Sequence, residues 1–331
     1  MTTEGSASRT AVRPDVRAFL DILNPSPMGR IGELSVAETR AIFDQARAGR
    51  PAVDHGLAIV RDLSFPSAGV DVGIRFYDLR TERRPGPLVL YFHGGGFVLG
   101  DLDSHHALCL EMARALDLPL LSVDYRLAPE HPWPAAPQDA EAAARWCAAA
   151  SGQILGRDVT GLVLAGDSAG ANLAAVTAGA LRDRPAATPV IVQALIYPTT
   201  GSGRRTASMA AFGEGYFLTQ QAMDWFNGHY GAPVGEPSYD LFASELSGMP
   251  ATLLVTAGLD PLRDEGRAYA AALVQAGVNV VYREAAGNIH GCFGMAAAIP
   301  SSAADVAGAL VALRLLVDDN LPHSSIPDAE T

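Results

Sequence analysis

The sequence predicts an α/β protein built on one mostly parallel sheet, and three observations carry that reading. Short β-rich runs alternate with helical stretches through most of the chain. The main break in this rhythm is a single aromatic-rich insertion. Two glycine-rich turns directly follow strand-like runs, which is where such sheets place their sites. A chain of 331 residues with 49% hydrophobic side chains has the material for the large core this requires.

Taken in order, residues 12–49 read as two helices, Val12 to Leu23 and Ser35 to Ala48, split by the breaker cluster Asn24, Pro25, Ser26, Pro27 with Gly29 behind it. From Leu57 the pattern changes to strands. LAIVRDLSF and VDVGIRFYDL flank a turn at Ser67 to Gly69 as a hairpin-like pair, and PLVLYF, ending at Phe92, reads as a buried strand. Helices near His105 to Ala115, Ala136 to Ala150 and Ala169 to Arg182 then alternate with strands LPLLSVD, LVLAG and VIVQALIYP. Alternation stops over 199–249, where Gly and Pro mix with Phe212, Tyr216, Phe217, Trp225, Phe226 and Tyr230. It resumes with ATLLVTAG, a helix over Arg263 to Ala276, VNVVYRE, and a last helix near Ala303 to Val317. The eight strand runs form one sheet domain in two parts, 51–198 and 250–331, with a helical cap assembled from 1–50 and 199–249.

Composition narrows the chemistry. The formal net charge of −12 repels phosphate backbones and anionic lipid, which argues against nucleic-acid binding and favours a small neutral or cationic partner. The chain has no lysine: all 24 basic residues are arginine. That removes Schiff-base and pyridoxal-phosphate catalysis, the P-loop and kinase lysines, and Ser-x-x-Lys hydrolases. Cys109, Cys147 and Cys292 are too few and too scattered for a disulfide scaffold, which points to a reducing compartment. The first residues, with Glu4 and Asp15, lack the apolar core of a signal peptide, and no later stretch reaches the roughly 18 uncharged apolar residues of a membrane span. A cytoplasmic protein without membrane insertion is expected.

The chemistry-bearing residues lie at the strand ends. LVLA followed by Gly166, Asp167, Ser168, Ala169, Gly170 and an alanine-rich helix is a G-x-S-x-G in its meaningful context of strand, tight turn and helix. Small residues at 166 and 170 let the two backbones close, and the helix N-terminus adds free N–H groups. His93 to Gly96 follows PLVLYF, and the N–H groups of Gly94 and Gly95 with that of Ala169 are the expected oxyanion hole. A phosphate-binding glycine loop would need a G-x-G-x-x-G pattern or a lysine, and neither is present. Serine needs a base. Of the eight histidines (His55, His93, His105, His106, His131, His229, His290, His323), the strand-end position after residue 168 selects His290, since His229 falls in the insertion and His323 in a polar tail. Asp260, straight after LLVTAGL, is its expected acid partner, with Asp264 and Glu265 as nearby substitutes that fit better as helix N-terminal carboxylates.

HGGGF at 93–97, DYRLAPEHPWPAA at 124–136, GDSAGANLA at 166–174, DPLRDEGRAYA at 260–270 and IHGCFGM at 289–295 together resemble the hormone-sensitive-lipase-like family of α/β-hydrolases, the bacterial family IV esterases, over about 87–296. The resemblance implies an α/β-hydrolase fold with an eight-stranded sheet and a mobile N-terminal cap. It implies Ser168 as nucleophile, His290 as base and Asp260 as orienting acid, with no cofactor or metal, acting on short-chain acyl esters. A homodimer through the sheet edge follows by analogy. An amidase or deacetylase with the same triad, and a ligand-binding relative that has lost its catalytic histidine, are the alternatives; the presence of His290 opposes the last. Two positions depart from the family: Cys292 stands where an aromatic residue is common and Asn288 where an apolar one is.

Phe97, Asp167, Tyr197, Phe212, Tyr216, Phe217 and Trp225 are the candidate substrate-contacting residues, core packing being the competing role for the aromatic ones. Asp101, Asp103, His105 and His106 fit helix capping better than a metal cluster, and His93 fits a brace for the glycine loop. Cys292 is either a thiol near the site or buried packing, Arg126 and Glu130 are candidates for internal ion pairs, and Arg204 with Arg205 reads as solvated loop.

Overall fold

A computed structural model describes residues 11–48 and 56–321, so His55, His323 and the outer parts of the expected terminal segments lie outside the described residues. Strands β1 (Ile59–Ser67) and β2 (Val70–Asp78) form the expected hairpin, Ile59 opposite Asp78 and Ser67 opposite Val70. Ala68 and Gly69 turn it with φ of 47° and 83°, the left-handed pair that suits the twist of a two-residue hairpin. β2 runs antiparallel to β4 (Leu120–Asp124), and all remaining pairings are parallel: β3 (Gly86–Phe92) with β4 and with β5 (Val159–Asp167), then β6 (Val190–Ile196), β7 (Ala251–Leu259) and β8 (Val280–Ile289). The sheet has eight strands in the order β1-β2-β4-β3-β5-β6-β7-β8.

Helices on both faces explain why the central strands read as unbroken apolar runs. One face buries Leu88, Leu90, Leu162 and Leu164 against α4 (Ala135–Leu155), α5 (Ala169–Asp183) and α8 (Arg263–Gln275). The other buries Val89, Tyr91, Val163 and Val192 against α3 (His106–Leu116) and α9 (Ser302–Asp319). Near the strand ends, α1 (Pro14–Leu23) packs Val16, Leu20 and Leu23 on Leu259, Ile289 and Ile299. Phe43 of α2 (Val36–Ala48) meets Ile31, Leu218 and Leu262 together with Met223, Trp225 and Phe226 of α7 (Gln220–Tyr230), while α6 (Ala207–Phe212) caps on Thr206. Among the described residues no helix is long and apolar enough to cross a membrane.

Arg126 and Glu130 both find internal partners, though not each other. Asp139, fully buried on α4, accepts from Arg126 Nε and Nη2, both at 2.8 Å, from Arg126 N at 3.0 Å and from Ser67 Oγ, tying β1 to the proline-rich corner after β4. Glu130 pairs with Arg40 of α2. Removing one member of a buried, fully hydrogen-bonded pair strands the other. Asp139→Ala therefore lowers unfolding free energy by about 3 kcal/mol in urea titration, against under about 1 kcal/mol for Glu130→Ala at the surface.

Candidate active site

β5 delivers Ser168 into a turn that only small neighbours permit. The serine backbone has φ 54° and ψ −116°, held by its N–H bond to Ile196 O at 2.8 Å. A Cβ at Gly166 would collide with the Gly170 backbone, and one at Gly170 with the Phe92 carbonyl. The strand and helix therefore close, and Ser168 Oγ is pushed out at the head of α5.

His290 follows β8, and Gly291 at φ 77° turns the chain immediately after it. Its Nε2 lies 2.8 Å from Ser168 Oγ and its Nδ1 2.7 Å from Asp260 Oδ2. A carboxylate accepts, so Nδ1 carries the hydrogen and Nε2 is left to accept from the serine hydroxyl. Asp260, fully buried after β7, is fixed by Leu262 N–H on Oδ1 at 2.9 Å. The structure thus brings together all three residues expected from the sequence. Asp264 and Glu265 sit in the first turn of α8, where Asp264 accepts from Ser208 N and Glu265 from Thr200 Oγ1.

The glycine loop departs from expectation at one position. Gly94 N–H donates to Asp167 Oδ1 at 2.8 Å and is buried, so it has no hydrogen to offer a ligand. Among the described residues, the N–H groups of Gly95, Gly96 and Ala169 have no acceptor, and Gly95 and Gly96 are partly exposed to the cavity. The available donor set is therefore Gly95, Gly96 and Ala169. Asp167 borders the cavity, and its Oδ1 is committed inward: it also accepts from Tyr91 OH at 2.6 Å and lies 3.3 Å from His105 Nε2. Burial opposes its ionisation, yet the His105 imidazole and the bonds from Tyr91 and Gly94 prevail and hold its pKa down at about 2. His93 braces the loop as expected, with Nδ1–H on Gly94 O at 2.8 Å and its ring stacked 4.3 Å from Tyr125.

Ser168, His290 and Gly94 to Gly96 open into a cavity of about 2590 Å³. Phe97 and Phe217 line it as expected. Four other expected contacts do not. Tyr197 lies behind the histidine, its ring 4.8 Å from that of His290 and edge-on to Phe293. Phe212 and Tyr216 pack edge to face on each other beside α1, and Trp225 turns to Phe226 and His229. Their places are taken by Phe19, Phe43, Leu218, Met223 and Phe226, the last lying so close over Gly96 that a Cβ there would strike its ring. Alternation alone does not say which face of a short helix looks inward; the i, i+3 spacing of Met223 and Phe226 was the available signal. Arg204, read as solvated, lines the mouth and stacks 3.9 Å over Phe242.

The remaining candidates are structural. Asp101 closes the turn before α3 through Ser104 N and pairs with Arg47, while Asp103 pairs with Arg75. Cys292 is fully buried, and burial pushes its thiol well above the ordinary range, which makes it an inert packing residue.

A family model described as the alpha/beta hydrolase fold matches residues 89–294. The chain is 41% identical to the carboxylic ester hydrolase LipN of Mycobacterium tuberculosis, over 78% of this chain and 69% of that one. It is 33% identical to an ethyl acetate hydrolase of Pseudomonas putida, over 82% and 88%. Among solved structures, the α/β-hydrolase LAE6 from the Lake Arreo metagenome superposes with a TM-score of 0.85 at 34% identity, over 92% of this chain and 98% of that one. The chain belongs to the α/β-hydrolases. Within that superfamily its place is among the hormone-sensitive-lipase-like esterases.

The brace under the glycine loop carries a pH signature. Burial, and then the neighbouring His105, lower the His93 pKa to about 4 from a reference of 6.5, and its Nε2 has no partner. The folded state therefore resists a proton that the unfolded chain accepts, so this group's contribution is complete above pH 6.5 and is lost as pH falls toward 4. The loss amounts to about 3 kcal/mol. Urea titrations from pH 7 to 4 will show the stability gap between the parent and His93→Gln narrowing by that amount.

Proposed function

We propose that the protein hydrolyses short-chain carboxylic esters by two-step acyl transfer, with Ser168 as nucleophile, His290 as base and Asp260 as orienting acid. Carboxylic ester hydrolysis is the activity of its family. The observation that carries the finer reading is the unbroken chain from Asp260 Oδ2 through the His290 ring to Ser168 Oγ, ending at the cavity wall. His290 Nε2 takes the Ser168 proton as Oγ bonds to the ester carbonyl carbon. The carbonyl oxygen, now an anion, accepts from the N–H groups of Gly95, Gly96 and Ala169, each donor worth about 10²–10³ in rate. The imidazolium, steadied by Asp260, returns its proton to the leaving alcohol. Water then repeats the sequence on the acyl-serine. Every step uses side chains and backbone, so the chemistry calls for no cofactor.

The helices α1, α2, α6 and α7 belong, on this reading, to a cap over the acyl-transfer site, the cap that the sequence reading assigns to 1–50 and 199–249. Their support is the apolar wall that Phe19, Phe43, Phe217, Leu218 and Phe226 give the cavity. The ethyl acetate hydrolase among the relatives supports a small acyl group. The buried, unpaired Cys109, Cys147 and Cys292 fit a cytoplasmic enzyme, and the open β8 edge fits a homodimer.

Purified parent protein will turn over p-nitrophenyl butyrate. Ser168→Ala and His290→Ala will each lose about 10⁴-fold or more in kcat, and the double variant scarcely more than either, because the residues act as a unit. Parental activity in Ser168→Ala sinks the assignment.

A further inference from the structure

The segment that carries His290 is polar where the family resemblance expects it to be apolar, and that polarity leads out of the site. Asn288 is completely buried two residues before the histidine. Both ends of its amide are satisfied: Oδ1 accepts from Ile289 N at 3.1 Å, and Nδ2 donates to Asp305 Oδ2 at 3.1 Å. Asp305 stands in the first turn of α9 and takes the Arg13 guanidinium as a fork, Nη1 on Oδ2 at 2.6 Å and Nη2 on Oδ1 at 3.0 Å. The same arginine donates Nε to Ala286 O at 2.8 Å, Nη1 to Ser301 O at 2.9 Å, and its backbone N–H to Gly287 O at 3.3 Å. Arg13 is the residue from which α1 springs, and α1 turns Phe19, Ile22 and Leu23 into the cavity.

Each link obliges the next. A buried amide is tolerated only with its hydrogen bonds made, so Asn288 requires Asp305. A largely buried carboxylate beside it requires a counter-charge, so Asp305 requires Arg13. When α1 is docked, Arg13 grips residue 286 through Nε and residue 287 through its backbone N–H, and its guanidinium neutralises the group that holds residue 288. When it is not, Asp305 is left as an uncompensated charge against Asn288, the residue two positions before the base.

We propose that Arg13, Asp305 and Asn288 form a positioning relay that couples docking of α1, a wall of the substrate cavity, to the placement of His290. The relay rests on the reading of His290 as the catalytic base. None of its members touches substrate. Each acts through the histidine, whose Nε2 must stay within hydrogen-bond reach of Ser168 Oγ for the proton to move; a misplacement of about 1 Å costs on the order of 10²-fold.

The test is a double-mutant cycle on p-nitrophenyl butyrate hydrolysis, with Arg13→Gln, Asn288→Leu and the two together. Asn288→Leu restores an apolar residue and cuts the relay while leaving the cavity wall alone. It lowers kcat about tenfold with KM within about twofold of the parent. Arg13→Gln lowers kcat by a similar factor and raises KM, because α1 lines the cavity. In the Asn288→Leu background, Arg13→Gln takes less than a further twofold from kcat, since the link is already gone. Factors that multiply, or single variants that keep the parental kcat, overturn the relay and leave Arg13 as an anchor for α1 alone. Should Arg13→Gln fail to fold by circular dichroism, Arg13→Lys, which keeps a cation but not the fork, takes its place in the same cycle. His290→Ala run alongside separates the two claims: parental turnover there rejects the base itself, whereas an inactive His290→Ala beside an unaffected cycle rejects only the relay.

Discussion

A buried carboxylate next to Ser168 governs the glycine-loop side of this site. Asp167 is nearly inaccessible, and a charge so placed persists only if its environment supplies hydrogens. Tyr91 reaches it from β3, Gly94 from the glycine loop and His105 from the segment before α3. That demand fixes the loop. With the Gly94 N–H committed downward, the loop crests over Gly95 and Gly96, whose N–H groups remain for a ligand, and Gly94 itself has no room for a side chain beside Asp167. The same strand end therefore sets both Ser168 and the arrangement of donors around it.

The arginine-only composition becomes intelligible at the contacts between the outer helices and the sheet. Arg40 of α2 donates to Val98 O and Ala128 O and forks onto Glu130, so one side chain clasps the segment after the glycine loop and the proline-rich corner together. Arg47, further along α2, forks onto Asp101 in the same segment. Arg13 does likewise at the histidine loop. A lysine offers a point charge with no fixed fork and could not bridge two carbonyls and a carboxylate in one plane. Guanidinium geometry thus stitches α1 and α2 to the segments bearing the reactive groups.

Most of the sheet was legible in the sequence because buried parallel strands are short apolar runs and the helices between them are periodic. The Ser168, Asp260 and His290 constellation was legible for a related reason: each residue follows a strand end, and strand ends are easy to find. What stayed hidden depends on partners distant in sequence. That Gly94 is spent and Gly96 free follows only from where the Asp167 side chain turns. That Trp225 faces away while Phe226 faces in depends on the rotation of a short helix, which two adjacent aromatic letters do not record. The role of Asn288 needed Arg13, 275 positions earlier, and Asp305 to be seen together. Arg126 and Glu130, neighbours in the sequence, turned to different elements.

The backbone of Ser168 has a wider consequence. A non-glycine residue held at positive φ costs of order 1–3 kcal/mol, and that strain is paid by the packing of β5, α5 and the glycines that let them meet. The most comfortable residue at that corner is glycine, which cannot act as a nucleophile. Selection on foldedness alone would erode this position; on the proposed reading of Ser168, selection on turnover retains it. A lineage released from its substrate would drift toward a sturdier, silent scaffold with cavity and outer helices intact, so catalytic loss in such proteins need leave no mark on their architecture.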